Sequence, residues 1–171
     1  MTELHVSTPN KGLPIGSKAP TIETKDIDEN EVNLTNLLEN HRGVLIDFFR
    51  GGWWIHWIKH FKYLTKNMSE LEKRNVKLIA IAKDSSRRLL KMKEKNNFDI
   101  PIISDKAGKI AKSYNMFITE KAVGHDDLQV NNAIPAKVLV NKNGIIVWHY
   151  IGAKEDRPSI EIITDAIDKY L

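Results

Sequence analysis

No cysteine occurs anywhere in the 171 residues. Disulfides, thiolate metal ligands, cysteine-based zinc sites and thiol nucleophiles are excluded together. Long apolar runs are missing as well: no stretch approaches the roughly 20 residues that span a bilayer. Residues 1–18 are polar and hold no signal-peptide core, so the expected setting is the cytoplasm, with no membrane attachment. Charge of one sign is not in excess either. Lys and Arg total 26 against 22 Asp and Glu, and a net charge of +4 is too mild to imply nucleic acid by itself. The 42% hydrophobic and 28% charged residues are those of an ordinary globular chain, long enough for one full core.

What is present reads as alternating strands and helices. Residues 1–18, with Pro9, Gly12, Pro14 and Gly16 as breakers, form a tail, and 19–171 form one domain. Thr21 to Leu34 reads as a strand pair around a polar turn, Asp26 to Asn30. Thr35 is placed to cap a short helix over 36–39. Val44 to Phe49 and Val76 to Ala82 are apolar enough to be buried strands, with Asp47 the exception. Between them Phe61, Leu64, Met68 and Leu71 form a helical stripe. Asp84-Ser85-Ser86 opens a basic helix with Leu89, Leu90 and Met92 inward; no aromatics interleave its cations to stack bases, so nucleic acid is not the expected partner. Pro101 to Ile103 is extended, and Ala107 to Tyr114 is a short helix. The polar stretch 117–132 is the expected mobile loop. Asn141-Lys142-Asn143-Gly144 joins two strands as a hairpin, and a closing helix follows from Pro158, with Ile162, Ile163, Ala166 and Ile167 toward the core. The alternation predicts an α/β fold of three layers, a central mixed sheet with helices on both faces.

The organising stretch is Phe48-Phe49-Arg50-Gly51-Gly52-Trp53-Trp54-Ile55-His56-Trp57. It carries a buried strand through a glycine turn into a helix start. Trp53, Trp54 and Trp57 make an aromatic cluster there. Three readings stand side by side: Trp54 and Trp57 fill the core; the cluster with His56 is an exposed contact patch, since Trp is the residue type most enriched at binding hot spots; or a small planar ligand stacks there. His56 and His60 have zinc-ligand spacing, but a third ligand must come from His125, Asp126 or elsewhere, and solvent-exposed histidines are the plainer expectation. Asp47, in an apolar strand, calls for a lysine partner, with Lys137 and Lys83 as candidates. Arg50 is expected to hydrogen-bond the glycine turn. The backbone N–H groups of the helix start can hold an anion. No cofactor and no metal is called for.

Gly16-Ser17-Lys18-Ala19-Pro20, Phe48 to Trp53, Lys83-Asp84-Ser85, Ile103-Ser104-Asp105 and Ile134-Pro135 before a Lys-Asn-Gly hairpin occur in an order that resembles the peroxiredoxin-like (alkyl hydroperoxide reductase/thiol-specific antioxidant, AhpC/TSA) branch of the thioredoxin fold. The resemblance implies a thioredoxin-like fold with a peroxiredoxin-type N-terminal strand pair. It places Trp54 where the family has its peroxide-attacking cysteine, Ile55 at the proline, His56 at the usual tyrosine and Trp57 at the second cysteine. Gly51 stands at the threonine that often precedes the cysteine. Pro135 stands at the proline that is usually cis in this fold and faces the turn. For the family's activating arginine, Ala136-Lys137-Val138 offers a lysine.

Peroxide reduction requires a thiolate of lowered pKa, and an indole nitrogen only donates a hydrogen bond. The sequence therefore predicts a member without thiol catalysis that works by binding, either to another copy of itself or to a redox protein. The alternative is a thiol-dependent peroxidase or disulfide oxidoreductase whose active-site cysteines are altered in this chain; Gly51 and Ile55 speak against it, because a change confined to two cysteines leaves such neighbours in place.

Overall fold

The computed structural model describes residues 5–6, 11–118, 132–152 and 157–171. A six-stranded sheet forms the middle layer. Its strands are β1 (His5–Val6), β4 (Gly43–Phe49), β5 (Val76–Ala82), β6 (Ile102–Ser104), β9 (Ala136–Asn141) and β10 (Ile146–Ile151), in the order β1-β10-β9-β4-β5-β6. β4, β5 and β6 run parallel, while β9 is antiparallel to both β4 and β10. β2 (Glu23–Lys25) and β3 (Glu31–Asn33) form the separate N-terminal pair. Asp26 Oδ1 closes their turn by accepting from the backbone N–H groups of Asp28 and Asn30. β7 (Phe117–Ile118) and β8 (Asn132–Ala133) pair at the two ends of the expected loop, whose middle, with His125 and Asp126, lies outside the described residues. Within the stretch read as a tail, His5–Val6 runs alongside β10, and Gly16 and Ser17 exchange hydrogen bonds with Ile146.

Side-chain alternation along β4 divides the core. Val44, Ile46 and Phe48 join one apolar cluster with α1 (Leu34–Asn40) and α5 (Lys109–Ser113). Leu45 and Phe49 join the other, beneath α2 (Ile55–Lys66), α3 (Met68–Glu72), α4 (Ser86–Asn96) and α6 (Ile160–Tyr170). Period-2 alternation puts Asp47 on this second face, directed at α2. The three-layer α/β architecture is as the sequence predicts.

Local chemistry explains most boundaries. Ser85 and Ser159 cap α4 and α6, accepting from the N–H groups of Arg88 and Ile162. Asn141 Oδ1 accepts from Asn143 and Ile145, and Gly144 takes φ +78°, which closes the hairpin without steric cost. Two expectations are corrected. Asn33, not Thr35, caps α1, because its Oδ1 accepts from Asn36 N at 3.2 Å and the helix begins at Leu34. Ile162 is 37% exposed, since the buried stripe of α6 runs through Ile160, Ile163, Ala166 and Ile167.

Candidate functional site

The turn from β4 to α2 is held from outside by Asp84. Asp84 Oδ2 accepts from Gly52 N at 3.0 Å, and its Oδ1 accepts from Ser85 N and faces Arg88 Nη1 at 3.3 Å. One carboxylate thus ties the glycine turn to the start of α4. In the sequence Asp84 reads only as a helix opener, and the Lys-Asp-Ser motif is the one signal of its second role. Gly51 has no space for a side chain. A Cβ there would stand 2.6 Å from Trp53 Nε1 and 2.9 Å from Asp84 Oδ2. The threonine implied by the family pattern therefore has no room while Trp53 lies as it does.

The three tryptophans separate. Trp57 is fully buried, stacked on Phe49 with ring centroids 3.7 Å apart and on Phe61 at 4.6 Å. Its Nε1 donates to Asp47 Oδ2 at 3.1 Å. Trp57 therefore contributes nothing to a contact patch, because the third position of α2 points down onto the sheet. Trp53 is 42% exposed and Ile55 beside it 54% exposed. Trp54 is half-buried, edge-on to Trp53 at 5.2 Å, and its buried Nε1 has no hydrogen-bond partner. His56, also half-buried, lies 5.3 Å from the Trp54 ring.

Asp47 finds its lysine in Lys137. The two are register partners across β4 and β9, and Lys137 Nζ stands 3.1 Å from Asp47 Oδ1 with both side chains buried. Burial pushes the Lys137 ammonium down from its usual range, and Asp47 opposes that shift. Lys137 is thus spent on Asp47 and does not take the place of an activating arginine at Trp54.

Arg50 departs from expectation. It is buried, and its Nε and Nη1 have no hydrogen-bond partner. Its guanidinium lies over the ring of Trp54 at 4.3 Å and that of Trp53 at 5.2 Å. A guanidinium only donates, and with no acceptor at its Nε or Nη1 among the described residues the cation settles on the indole faces, where a desolvated contact is worth about 2 kcal/mol. Burial lowers the Arg50 pKa from its ordinary value.

His60 also departs from expectation: it is buried, not solvent-exposed. Burial first, then the charges of Lys137 and Arg157, push its pKa down to about 2, so the ring is neutral at physiological pH. Among the described residues no group of three His, Asp or Glu side chains converges as a metal site. Pro135 is buried just before β9, where Ala136 pairs with Phe48 and the Pro135 carbonyl accepts from Gly152 N. No cis peptide occurs among the described residues, so Ile134–Pro135 is trans, unlike the form the resemblance implies. No helix of the described residues is long and apolar enough to cross a membrane.

The fold agrees with the comparisons. No curated protein matches by sequence. Among solved structures, the reduced 2-Cys peroxiredoxin of Plasmodium vivax superposes with a TM-score of 0.75 at 26% identity, covering 91% of this chain and 96% of that one. The thiol peroxidase of Chromobacterium violaceum superposes with a TM-score of 0.72 at 17% identity over 99% and 98%. Yeast mitochondrial 1-Cys peroxiredoxin gives 0.75 at 17% identity over 91% and 75%. The AhpC/TSA family pattern matches residues 15–149. With that span covering most of the sequence, and with no sulfur nucleophile at the turn, the chain belongs to the AhpC/TSA family and lacks the cysteines of its thiol chemistry.

Proposed function

We propose that this protein acts by association, with the β4–α2 turn as its contact surface. The observation that carries this reading is the division of labour among the tryptophans. Trp57 fills the core, while Trp53 and Ile55 stand exposed side by side at the same turn. Large exposed apolar side chains that are contiguous mark contact surfaces more often than scattered ones do. Arg50 beneath Trp53 and Trp54 supports the arrangement from below. The partner is a second copy or a redox protein. The yeast structure concerns resolution through glutathione and thioredoxin systems, which supports a redox protein as a class of partner.

Molar mass by light scattering at two concentrations tests the reading, on wild type and on Trp53→Ser. A concentration-dependent dimer in wild type and a folded monomer in the variant are expected for self-association. A wild type that stays monomeric leaves only the redox-protein form of the reading, and thioredoxin retained by wild type but not by Trp53→Ser is then the expected result. Failure of both removes the turn as a contact surface.

A further inference from the structure

A groove of about 380 Å³ opens between α2 and α4, beside the turn. Its floor is apolar: Trp53, Ile55, Ile58 and Met92. Its walls carry Lys62 on α2 and Arg88, Lys91 and Lys95 on α4, and no carboxylate lines it. Arg88 faces Asp84, whereas Lys62, Lys91 and Lys95 have no ion pair among the described residues. The site is thus apolar beneath and positive on both sides.

The opposite character occurs on α6. Its outer face presents Glu161, Ile162, Asp165 and Asp168, with Lys169 in the last turn lying over the Tyr170 ring at 5.3 Å. Asp168 is engaged by Arg74 at 2.9 Å, which leaves Glu161 and Asp165 without an ion pair among the described residues. Ile162 and Tyr63, each 37% exposed, add an apolar centre; the Tyr63 hydroxyl accepts from Ile160 N, which sets Tyr63 against the start of α6. Trp53, Ile55, Tyr63 and Ile162 account for most of the large apolar side chains exposed among the described residues. One pair lies at a basic groove and the other on an acidic helix face.

We propose that the α2–α4 groove receives the acidic face of α6 from a second copy of this chain. This deepens the association reading and rests on it. The spacing selects this occupant. Lys91 and Lys95 are four residues apart on α4, and Glu161 and Asp165 are four apart on α6, so both ladders repeat at about 6 Å. Ile162 between the carboxylates then meets the apolar floor, as an amphipathic helix does in a groove. A single-headed amphiphile would call for cations gathered at one end, whereas here they lie along both walls.

Two charge-reversed chains test this: Lys91→Glu with Lys95→Glu, and Glu161→Lys with Asp165→Lys. All four side chains are exposed, so both chains are expected to fold with wild-type circular dichroism. Each alone should self-associate about tenfold more weakly than wild type, or less, by sedimentation equilibrium. Mixing them should restore association, since the reversed groove of one variant meets the reversed α6 of the other, and the native groove of the second meets the native α6 of the first. The proposal is overturned if the α6 reversal associates like wild type, or if mixing restores nothing. If the groove reversal alone is weakened, the groove takes another acidic occupant. If neither reversal matters while Trp53→Ser still dissociates the wild type, association at the turn stands and α6 docking falls. A wild type that never self-associates overturns the docking outright and leaves the redox-partner form of the association reading to its own test.

Discussion

Trp57 and Asp47, ten residues apart in sequence, share a 3.1 Å hydrogen bond in the core. The carboxylate is completed by Lys137 from the neighbouring strand. An indole at this position is therefore doubly fixed, by stacking on Phe49 and Phe61 and by its N–H. Trp57→Ala should cost about 3–5 kcal/mol in urea unfolding, through the cavity it leaves. Trp57→Phe should cost less, about 1–3 kcal/mol, because the stack is kept and only a donor to a buried carboxylate is lost. A Trp57→Phe variant as stable as wild type would show that the hydrogen bond carries no weight, and equal losses for the two would show that the stacking carries none.

Lys137→Met leaves Asp47 buried with only Trp57 as a partner. Removing one member of a buried pair typically costs about 3–5 kcal/mol. Adding Asp47→Leu to Lys137→Met should recover part of that loss, since the uncompensated charge goes with it. A double variant no more stable than Lys137→Met is the contrary result.

His60 makes a pH prediction. Its folded pKa of about 2 lies below the usual histidine value of 6.5. Between these two values the unfolded chain binds the extra proton, so stability is complete above about pH 6.5 and falls as pH drops. One such group contributes up to about 1.4 kcal/mol per pH unit in that window. Urea midpoints from pH 7.5 to 5 should fall in wild type and fall less in His60→Gln. His149, whose pKa burial also lowers, accounts for part of the slope that stays.

Gly51→Thr is expected to destabilise wild type by about 1–3 kcal/mol through overpacking. The nearest atom to the new Cβ would be Trp53 Nε1 at 2.6 Å. In a Trp53→Ser background the cost should shrink, and a double-mutant cycle measures the coupling. Additive effects would place the clash elsewhere, on Asp84.

Trp54→Cys puts a thiol at the N-cap of α2, next to the Arg50 guanidinium. Both features lower a thiol pKa, so alkylation should report a value below the ordinary 8.5 or so. Peroxidase activity is not expected from Trp54→Cys with Trp57→Cys, because Gly51 leaves no threonine and the loss of Trp57 empties the core beneath the turn. Activity in that double variant would favour the reading of altered cysteines.

The sequence made the layers legible where hydrophobic period and turn chemistry agreed. Val44 to Phe49, Val76 to Ala82 and the Asn141–Gly144 hairpin each combine a buried strand pattern with clear punctuation. The Asp47–Lys137 pairing was legible because a lone carboxylate in an apolar strand demands a cation, and Lys137 lies in the strand that turns out to be its neighbour. Other features depended on which face met which. His60 reads as a surface residue until α2 is packed with Lys137 and Arg157 nearby. Trp53 and Trp57 are chemically identical in the sequence, and only the turn before α2 and the phase of that helix send one out and one in. Arg50 reads as a donor to the turn until the rings of Trp53 and Trp54 come to face its guanidinium, while the turn's own N–H finds its acceptor in Asp84, far along the chain.

The wedge formed by Phe49, Trp57 and Phe61 has a consequence for how the turn responds to its surroundings. A cysteine that must meet an oxidant sits at a helix end that changes its chemistry, and often its bonding, with each encounter. Here the equivalent helix end is pinned from beneath by rings and a hydrogen bond that no oxidant–thiol exchange alters. The surface of Trp53 and Ile55 therefore keeps its shape through any change of thiol–disulfide balance in its surroundings.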